Sequence, residues 1–253
     1  MDSTSEWTAW RKPLDAAFDD AMRPLVESEG PLGLLYSGGV DSSLLAWELR
    51  GRPETVLFTL GTEGSTDLEF GRAGAERVGL PWTELLVGPE DVRAVEERYH
   101  DRFRALTTVG RSVLLSLALA IENADADHLV CGQGADELFL GYAHFRGLSG
   151  EQAELRARKD LDRLRRVDWP MTEAVAAQWG KTIVAPFLSA DFERAALRIP
   201  IELRQPREAA KPLFRDWARS RGLPPELAVR PKKALQYGSG VDALLRAARR
   251  EPG

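Results

Sequence analysis

The sequence predicts an α/β fold in which a parallel, twisted sheet is flanked by helices and followed by a helical C-terminal part. Three observations support this prediction. Short apolar segments have the composition of strands, helical patterns alternate with them, and beyond about residue 150 the pattern is helical with prolines as breakers. The predicted strands are 33–36, 55–60, 82–87 and 128–131.

The predicted helices follow from apolar residues spaced three and four apart. In the N-terminal segment 6–28 these positions are Trp7, Trp10, Leu14, Phe18, Met22 and Leu25. Helical patterns also cover 41–50, 67–78, 91–104 and 109–123. We therefore expect an N-terminal helix over 1–30, an α/β core over 31–150, and a mainly helical part over 151–253 that completes the same domain.

The composition excludes several classes of protein. The 253 residues include 34 basic and 39 acidic side chains, and the net charge of −5 argues against nucleic acid as a partner. The longest apolar stretch, 113–121, is too short for a membrane span, and the acidic, polar N-terminus is unlike a signal peptide. The single cysteine, Cys131, excludes disulfide scaffolds and cysteine-based zinc sites. We expect a cytoplasmic protein.

One basic run, 156–166, is interleaved with acidic residues at spacings that pair across a helix. This pattern predicts a solvated helix face. A polyanion-binding patch is the alternative.

The first glycine-rich corner combines a strand end, a tight turn and a helix start over residues 35–43. Glycine allows close approach of the backbone to an anion, and the helix N-terminus offers unpaired N–H groups to a phosphate. A carboxylate at Asp41 would not help to bind bare phosphate, so it indicates a Mg²⁺ ion. An ordinary capped turn would explain the glycines alone, but not the two serines and the aspartate together.

A second glycine-rich corner, 131–142, follows the fourth predicted strand and contains Asp136. We expect Asp136 to face Asp41 across the crevice between the two corners. Two carboxylates that face each other in this way would hold one Mg²⁺ between them.

These two corners carry a family resemblance. The segment Ser37–Ser43 (SGGVDSS) resembles the SGGxDS pyrophosphate-binding loop of the N-type ATP pyrophosphatases, also called PP-loop ATPases, whose fold is adenine nucleotide α-hydrolase-like. The second corner, GQGADELFLGY, resembles a segment of the synthetase domain of asparagine synthetase, to which β-lactam synthetase is related. Four further matches keep the family's order: Asp67-Leu68-Glu69, Pro186-Phe187-Leu188, the K-x-x-x-R pattern from Lys211 to Arg215, and the R-x-K pattern from Arg230 to Lys232.

The resemblance implies an ATP-dependent, AMP-forming carbon–nitrogen ligase with ATP and Mg²⁺ as cofactors. Its implied catalytic residues are Lys232, Asp136 and Gln133, and its implied metal ligands are Asp41 and Asp136. The residues expected to bind ATP are Tyr36, Ser37, Gly38, Gly39, Asp41, Ser42, Ser43, Leu60, Cys131 and Gly132. Adenine is expected near Tyr36 and Leu60, and the ribose over Cys131 and Gly132.

Two departures from the family bear on the substrates. Position 2 holds Asp2 in place of the catalytic cysteine of a glutaminase domain, so we expect a small carboxylic acid and an amine donor as partners, with ammonia from solution or from a separate glutaminase subunit. Gln133 replaces a family glutamate, which weakens aspartate plus ammonia as the specific pair. A PP-loop tRNA-modifying enzyme and a nucleotide-binding subunit dependent on a glutaminase are the alternatives.

Overall fold

Five parallel strands form a sheet in the order β3-β2-β1-β4-β5. The structure is a computed structural model that describes residues 3–104, 106–205, 210–230 and 235–248. The strands are β1 (Leu32–Leu35), β2 (Thr55–Gly61), β3 (Trp82–Leu86), β4 (His128–Val130) and β5 (Thr182–Val184). The predicted parallel sheet is confirmed, and so are its first four strands.

Helices make up most of the remaining described chain. They are α1 (Ser3–Glu27), α2 (Val40–Leu49), α3 (Thr66–Val78), α4 (Pro89–Arg98), α5 (His100–Phe103), α6 (Thr108–Asn123), α7 (Ala135–Leu138), α8 (Gly150–Arg163), α9 (Trp169–Gln178), α10 (Ala190–Leu197), α11 (Ile201–Arg204), α12 (Pro212–Ser220), α13 (Pro225–Ala228), α14 (Leu235–Gly238) and α15 (Val241–Ala248). Short 3₁₀ turns lie at 143–145 and 186–188, and a π-helical segment at 164–168 joins α8 to α9.

Two features of the fold differ from the sequence prediction. The segment predicted as one helix over 91–104 is two, because α4 ends at Arg98 and a separate turn, α5, begins at His100. The fifth strand was not predicted. β5 pairs with β4 in parallel, and the N–H of Cys131 donates to the carbonyl oxygen of Val184 at 2.9 Å, so the C-terminal part extends the sheet as well as covering it.

The sheet separates two hydrophobic cores. Alternate strand residues face opposite sides: Leu34 and Leu57 belong to the core beneath α1, α2 and α12, whereas Phe58 and Leu60 belong to the core beneath α4, α6 and α9. Residues that pair across the sheet share a face: Leu34 lies opposite Leu57 on one side and opposite Val130 on the other. The arrangement is therefore three-layered, with helices on both faces.

An aromatic cluster ties distant segments of the chain together behind the second glycine-rich corner. Phe139, just beyond α7, packs against Phe214 of α12 with ring centroids 4.9 Å apart, and Phe214 packs against Trp217 at 5.4 Å. Phe18 of α1 completes the cluster with an edge contact to Trp217 at 5.1 Å. Since Phe139 lies three residues after Asp136 and Phe214 three after Lys211, the cluster fixes α7 relative to α12.

The basic run 156–166 lies on α8 and the π-helical segment, and three of its arginines pair with acidic residues four positions away. Arg156 contacts Asp160 at 3.0 Å, Arg158 contacts Glu154 at 2.9 Å, and Arg166 contacts Asp162 at 2.6 Å. These contacts support the predicted helix face over a polyanion-binding patch. Across the described residues, no helix is both long enough and apolar enough to cross a bilayer.

Candidate active site

The two glycine-rich corners meet at the carboxyl ends of β1 and β4. The strand order 3-2-1-4-5 makes these neighbouring strands the point where successive connections leave in opposite directions, and open α/β sheets bind ligands in the crevice there. Gly132 shows how close the corners come. A Cβ atom at this position would lie 3.2 Å from the Asp41 Cβ and 3.5 Å from the Ser42 nitrogen, so a side chain here would press against Asp41.

Serine hydroxyls brace the first corner from within. The Ser37 Oγ accepts from the Gly39 N–H at 3.3 Å and lies 3.4 Å from the Ser42 Oγ. The Ser42 hydroxyl in turn donates to the Gly39 carbonyl at 3.2 Å and accepts from the Ser37 N–H at 3.3 Å. These contacts hold the loop in one shape at the N-terminus of α2, where the first N–H groups of the helix lack intrahelical acceptors and suit an anion.

Gly38 adopts φ +65°, and its α-carbon lies against two neighbours. A Cβ here would come within 2.5 Å of the Arg230 Nη1 and 2.8 Å of the Phe70 carbonyl oxygen. Gly38→Ala is therefore expected to weaken ATP binding about tenfold or more, because the left-handed backbone costs about 1–2 kcal/mol and the loop must also shift. Isothermal titration with a non-hydrolysable ATP analogue measures this change.

The matched control is Gly51→Ala. A Cβ at Gly51 would meet no atom within 4 Å, and the φ of this glycine is not positive. The control substitution should leave the affinity for the analogue unchanged. Equal affinities for wild type and Gly38→Ala would mean that the loop does not hold the phosphates.

Asp41 and Asp136 contact the same ammonium group. The Lys211 Nζ donates a hydrogen bond to Asp41 Oδ1 and forms an ion pair with Asp136 Oδ1 at 2.7 Å. The Lys211 side chain is 1% exposed, and the side chains of Asp41 and Asp136 are 5% and 17% exposed. The structure thus brings together the two carboxylates that the sequence analysis paired, around a lysine that it had not placed in the site.

Arg215 lies in α12, the helix that begins directly after Lys211. Its guanidinium donates to the carbonyl oxygens of Ala210 (2.8 Å) and Ala228. Burial lowers the pKa of Arg215, while the negative charges of Asp41 and Asp136 act in the opposite direction. The K-x-x-x-R pattern therefore supplies one cation to the carboxylates and one to the backbone on either side of α12.

Arg230 links the first corner to α3. Its guanidinium donates to the Ser37 carbonyl oxygen and to Asp67 Oδ1 at 3.1 Å, and it lies 3.7 Å from the centre of the Phe70 ring. Asp67 also lies beside Gly238, where a Cβ would come within 2.5 Å of the Asp67 Cγ. The buried Asp67 carboxylate therefore lies against residues on both sides of segment 231–237. Burial lowers the pKa of Arg230, and Asp67 opposes this change.

The second corner carries two polar groups and a buried thiol. The Gln133 Oε1 is buried and has no hydrogen-bond partner among the described residues. The Tyr142 hydroxyl donates to Glu137 Oε1 at 2.6 Å, and burial together with the charges of Glu137 and Asp136 raises the pKa of Tyr142 well above its ordinary value. Burial also raises the pKa of the Cys131 thiol to about 12, which disfavours the reactive thiolate form.

Several of the residues expected to bind ATP are buried, among them Tyr36, Ser43, Leu60 and Cys131. The Tyr36 hydroxyl lies 3.1 Å from the Ser43 Oγ and packs against Gly74 of α3, while Leu60 is part of the core beneath α6. The Ser43 hydroxyl therefore joins α2 to the Tyr36 ring in the core. That adenine lies near Tyr36 and Leu60, and ribose over Cys131 and Gly132, stays a prediction.

The sequence alone predicted no role for three residues that the structure puts in the site: Lys211, Arg230 and Asp67. Each lay within a pattern matched to the family, which was the available signal. Lys232, the predicted catalytic lysine, lies outside the described residues, and its role stays a prediction.

Comparison with known proteins identifies the family. The family model for asparagine synthase matches residues 13–177 and 158–251. A Methanocaldococcus jannaschii protein assigned as a glutamine-hydrolysing asparagine synthetase is 28% identical over 92% of this chain and 50% of its own length. The human enzyme named asparagine synthetase [glutamine-hydrolyzing] is 31% identical over 87% of this chain and 42% of its own length. The chain thus spans half or less of the length of these relatives.

Among solved structures, the NH3-dependent NAD synthetase of Campylobacter jejuni aligns with 96% of this chain and 98% of its own at 15% identity, with a TM-score of 0.36. That similarity is too low to bear on the function. The family match covers nearly the whole chain and includes both glycine-rich corners. The chain belongs to the asparagine synthase family.

Proposed function

We propose that this chain is an ATP-dependent carbon–nitrogen ligase that forms an amide from a carboxylic acid and an amine. An oxygen of the acid attacks the α-phosphorus of ATP, the bond to the bridging oxygen breaks, and pyrophosphate leaves. The amine then attacks the acyl carbon, and AMP departs with one oxygen of the original acid. The observation that carries this proposal is the convergence of Asp41 and Asp136, one from each glycine-rich corner, on a single buried positive charge.

Magnesium fits the donor set at this point. Mg²⁺ in phosphoryl-transfer sites is usually held by one or two carboxylates together with substrate phosphates, and Asp41 and Asp136 already share one cation, the Lys211 ammonium. We propose these two carboxylates as the metal ligands. When bound, the ion would neutralise negative charge on the phosphates as the α-phosphorus is attacked.

The first corner would hold the β- and γ-phosphates of ATP. The N-terminus of α2 offers N–H donors there, and Gly39 precedes the helix without a side-chain cap. Arg230 holds the carbonyl of Ser37, which keeps that oxygen turned toward a donor. The loop is thereby shaped before nucleotide binds, which reduces the entropy lost on binding.

Gln133 would contact the amine or the activated acid in the second step. Its buried amide oxygen has no hydrogen-bond partner among the described residues and can accept from an amine N–H. An amide cannot act as a base, so the proton released by the amine must pass to another acceptor. The relatives' names make aspartate with ammonia, free or from a separate glutaminase, the first pair of substrates to test.

The test is pyrophosphate release from Mg²⁺-ATP with ammonium and a panel of carboxylic acids led by aspartate. AMP and pyrophosphate are the expected nucleotide products, and asparagine the product from aspartate. With acid labelled in both carboxyl oxygens by ¹⁸O, one labelled oxygen should appear in AMP. Formation of ADP and phosphate, or unlabelled AMP, would contradict acyl adenylation.

Other outcomes separate the alternatives. Turnover with a different acid keeps the chemistry and changes the substrate. Activity that appears only after addition of a glutaminase and glutamine indicates a dependent subunit. ATP binding with no turnover on any acid, but turnover with transfer RNA, would replace the proposal with a tRNA-modifying activity, which the buried, protonated Cys131 argues against for thiolation.

Lys232→Ala is expected to lower turnover about 10²- to 10³-fold while leaving ATP binding intact, since a single group that stabilises transition-state charge has this magnitude. Lys233→Ala is the matched control and should retain nearly full activity. Steady-state kinetics and isothermal titration separate the two effects. A loss of turnover confined to Lys233→Ala would assign the catalytic role to Lys233.

A further inference from the structure

The Lys211 ammonium occupies the place that the proposed function gives to Mg²⁺. It contacts Oδ1 of both Asp41 and Asp136. A magnesium ion binds oxygen at about 2.1 Å with strict octahedral geometry. It cannot share these atoms with an ammonium in the same position, because the two cations repel each other. Lysine and metal therefore compete for one pair of carboxylates.

The local backbone holds Lys211 in this place. Lys211 has φ 55° and ψ 51°, a left-handed conformation unusual for a residue with a side chain, and Pro212 begins α12 directly after it. Such conformations persist where the surroundings determine them and cluster at functional sites. The other non-glycine residue of positive φ in the described chain is Leu140, which precedes Gly141 at the same cluster.

Gly141 leaves room for the lysine stem. A Cβ at this position would lie 2.8 Å from the Asp136 Cγ and 3.0 Å from the Lys211 Cδ. On its other side, the Lys211 Nζ lies 5.4 Å from the centre of the Phe214 ring, within the range of a cation–π contact. Three elements thus enclose the ammonium: the turn after α7, the start of α12, and the start of α2.

The charges explain when the lysine can leave. Two buried carboxylates close together repel each other unless a cation lies between them. If Mg²⁺ alone replaced the ammonium, the lysine charge would stay buried away from its acidic partners, which is strongly unfavourable. If nucleotide enters with the metal, its phosphate oxygens offer the ammonium a new anionic partner next to the old one. Exchange is then favourable only with nucleotide present.

We propose that Lys211 makes metal binding by Asp41 and Asp136 conditional on nucleotide: its ammonium holds both carboxylates until phosphate oxygens accept it and Mg²⁺ takes its place. This inference rests on the proposed function, in which these carboxylates are the metal ligands. Lys211 is therefore a positioning residue that keeps the site assembled and closed to metal in the absence of substrate.

The test uses Mn²⁺ as a paramagnetic probe on the full chain without nucleotide. Electron paramagnetic resonance measures the free ion and so gives its affinity for the protein. Lys211→Met and Lys211→Gln are expected to bind Mn²⁺ about tenfold or more tightly than wild type. Lys211→Arg keeps the charge and should resemble wild type. Adding Asp136→Asn to Lys211→Met should remove the gain.

Equal Mn²⁺ affinities in wild type and the neutral variants would overturn the inference. Because removal of the ammonium leaves two buried carboxylates, Lys211→Met could unfold, whereas the Lys211→Gln amide can still donate to one of them. Thermal melting tests the inference even if a variant is destabilised, because Mn²⁺ should raise the melting temperature of both neutral variants more than that of wild type. Neutral variants that stay unfolded at saturating Mn²⁺ would also contradict the proposal.

A separate measurement distinguishes failure of this inference from failure of the metal assignment. If Asp41→Asn and Asp136→Asn retain Mg²⁺-dependent turnover, the carboxylates are not the metal ligands and the proposed function is wrong on that point. If turnover is lost but the neutral Lys211 variants gain no affinity for Mn²⁺, the metal assignment stands and only the role of Lys211 fails.

Discussion

Asp136→Asn is expected to lower Mg²⁺-dependent pyrophosphate release about a thousandfold or more, and Asp41→Asn is expected to do the same. The amide keeps the shape of the side chain but removes the charge that would hold the metal. A metal ion supplies several kcal/mol of transition-state stabilisation, and about 1.4 kcal/mol corresponds to a factor of ten in rate. Initial rates of pyrophosphate release at saturating ATP provide the measurement.

Stability should change much less than activity in these two variants. Lys211 contacts both carboxylates, so either substitution leaves it paired with the other one. Asp242→Asn is the matched control, since Asp242 is also buried, accepts from the Ser112 hydroxyl at 3.0 Å and pairs with Arg246 at 2.7 Å. It should retain turnover. Activity retained in both site variants would refute the assignment of these carboxylates.

Sequence reasoning was most successful where the signal is local. The first corner requires a strand end, a glycine turn and a helix start within nine residues, and the structure has β1, Gly38 and α2 in that order. β5 was missed for the opposite reason. It is as short as β4, but no glycine-rich corner follows it, and it is a strand through its pairing with β4, some 50 residues earlier in the chain.

The contacts within the site required the three-dimensional structure. Asp41 and Asp136 were predicted to face each other because both follow strands of one parallel sheet. Lys211 lies 170 residues after Asp41, and nothing in its local sequence indicates which acid it contacts. Its position depends on the packing of Phe214 against Phe139, which brings α12 to the second corner.

Side-chain direction also escaped the sequence analysis. Ser37, Ser42 and Ser43 were all expected to bind ATP. Adjacent positions on a helix point about 100° apart, so Ser42 faces the loop, where its hydroxyl contacts the Gly39 carbonyl, while Ser43 faces the core and contacts Tyr36. The motif identified the loop, but the contacts of its individual hydroxyls differ and were not predicted.

Arg230→Gln is expected to reduce both the stability of the protein and its affinity for ATP. Arg230 is 7% exposed, and removing its guanidinium takes one opposite charge away from the Asp67 carboxylate, which is 3% exposed. Loss of one member of a buried ion pair costs about 3–5 kcal/mol. The Ser37 carbonyl also loses its donor, so the phosphate loop becomes less ordered, and we expect the KM for ATP to rise about tenfold. Urea unfolding and steady-state kinetics measure the two effects.

A second arginine separates stability from loop positioning. Arg221 is also largely buried and pairs with Glu48 at 2.9 Å and Asp15 at 3.2 Å, near the C-terminal end of α2 and away from the loop. Arg221→Gln should therefore lower the free energy of unfolding without changing the KM for ATP. If both variants raise the KM equally, general loosening of the fold explains the effect. A rise confined to Arg230→Gln means that the contact with Ser37 shapes the loop, because loss of stability alone is common to both substitutions.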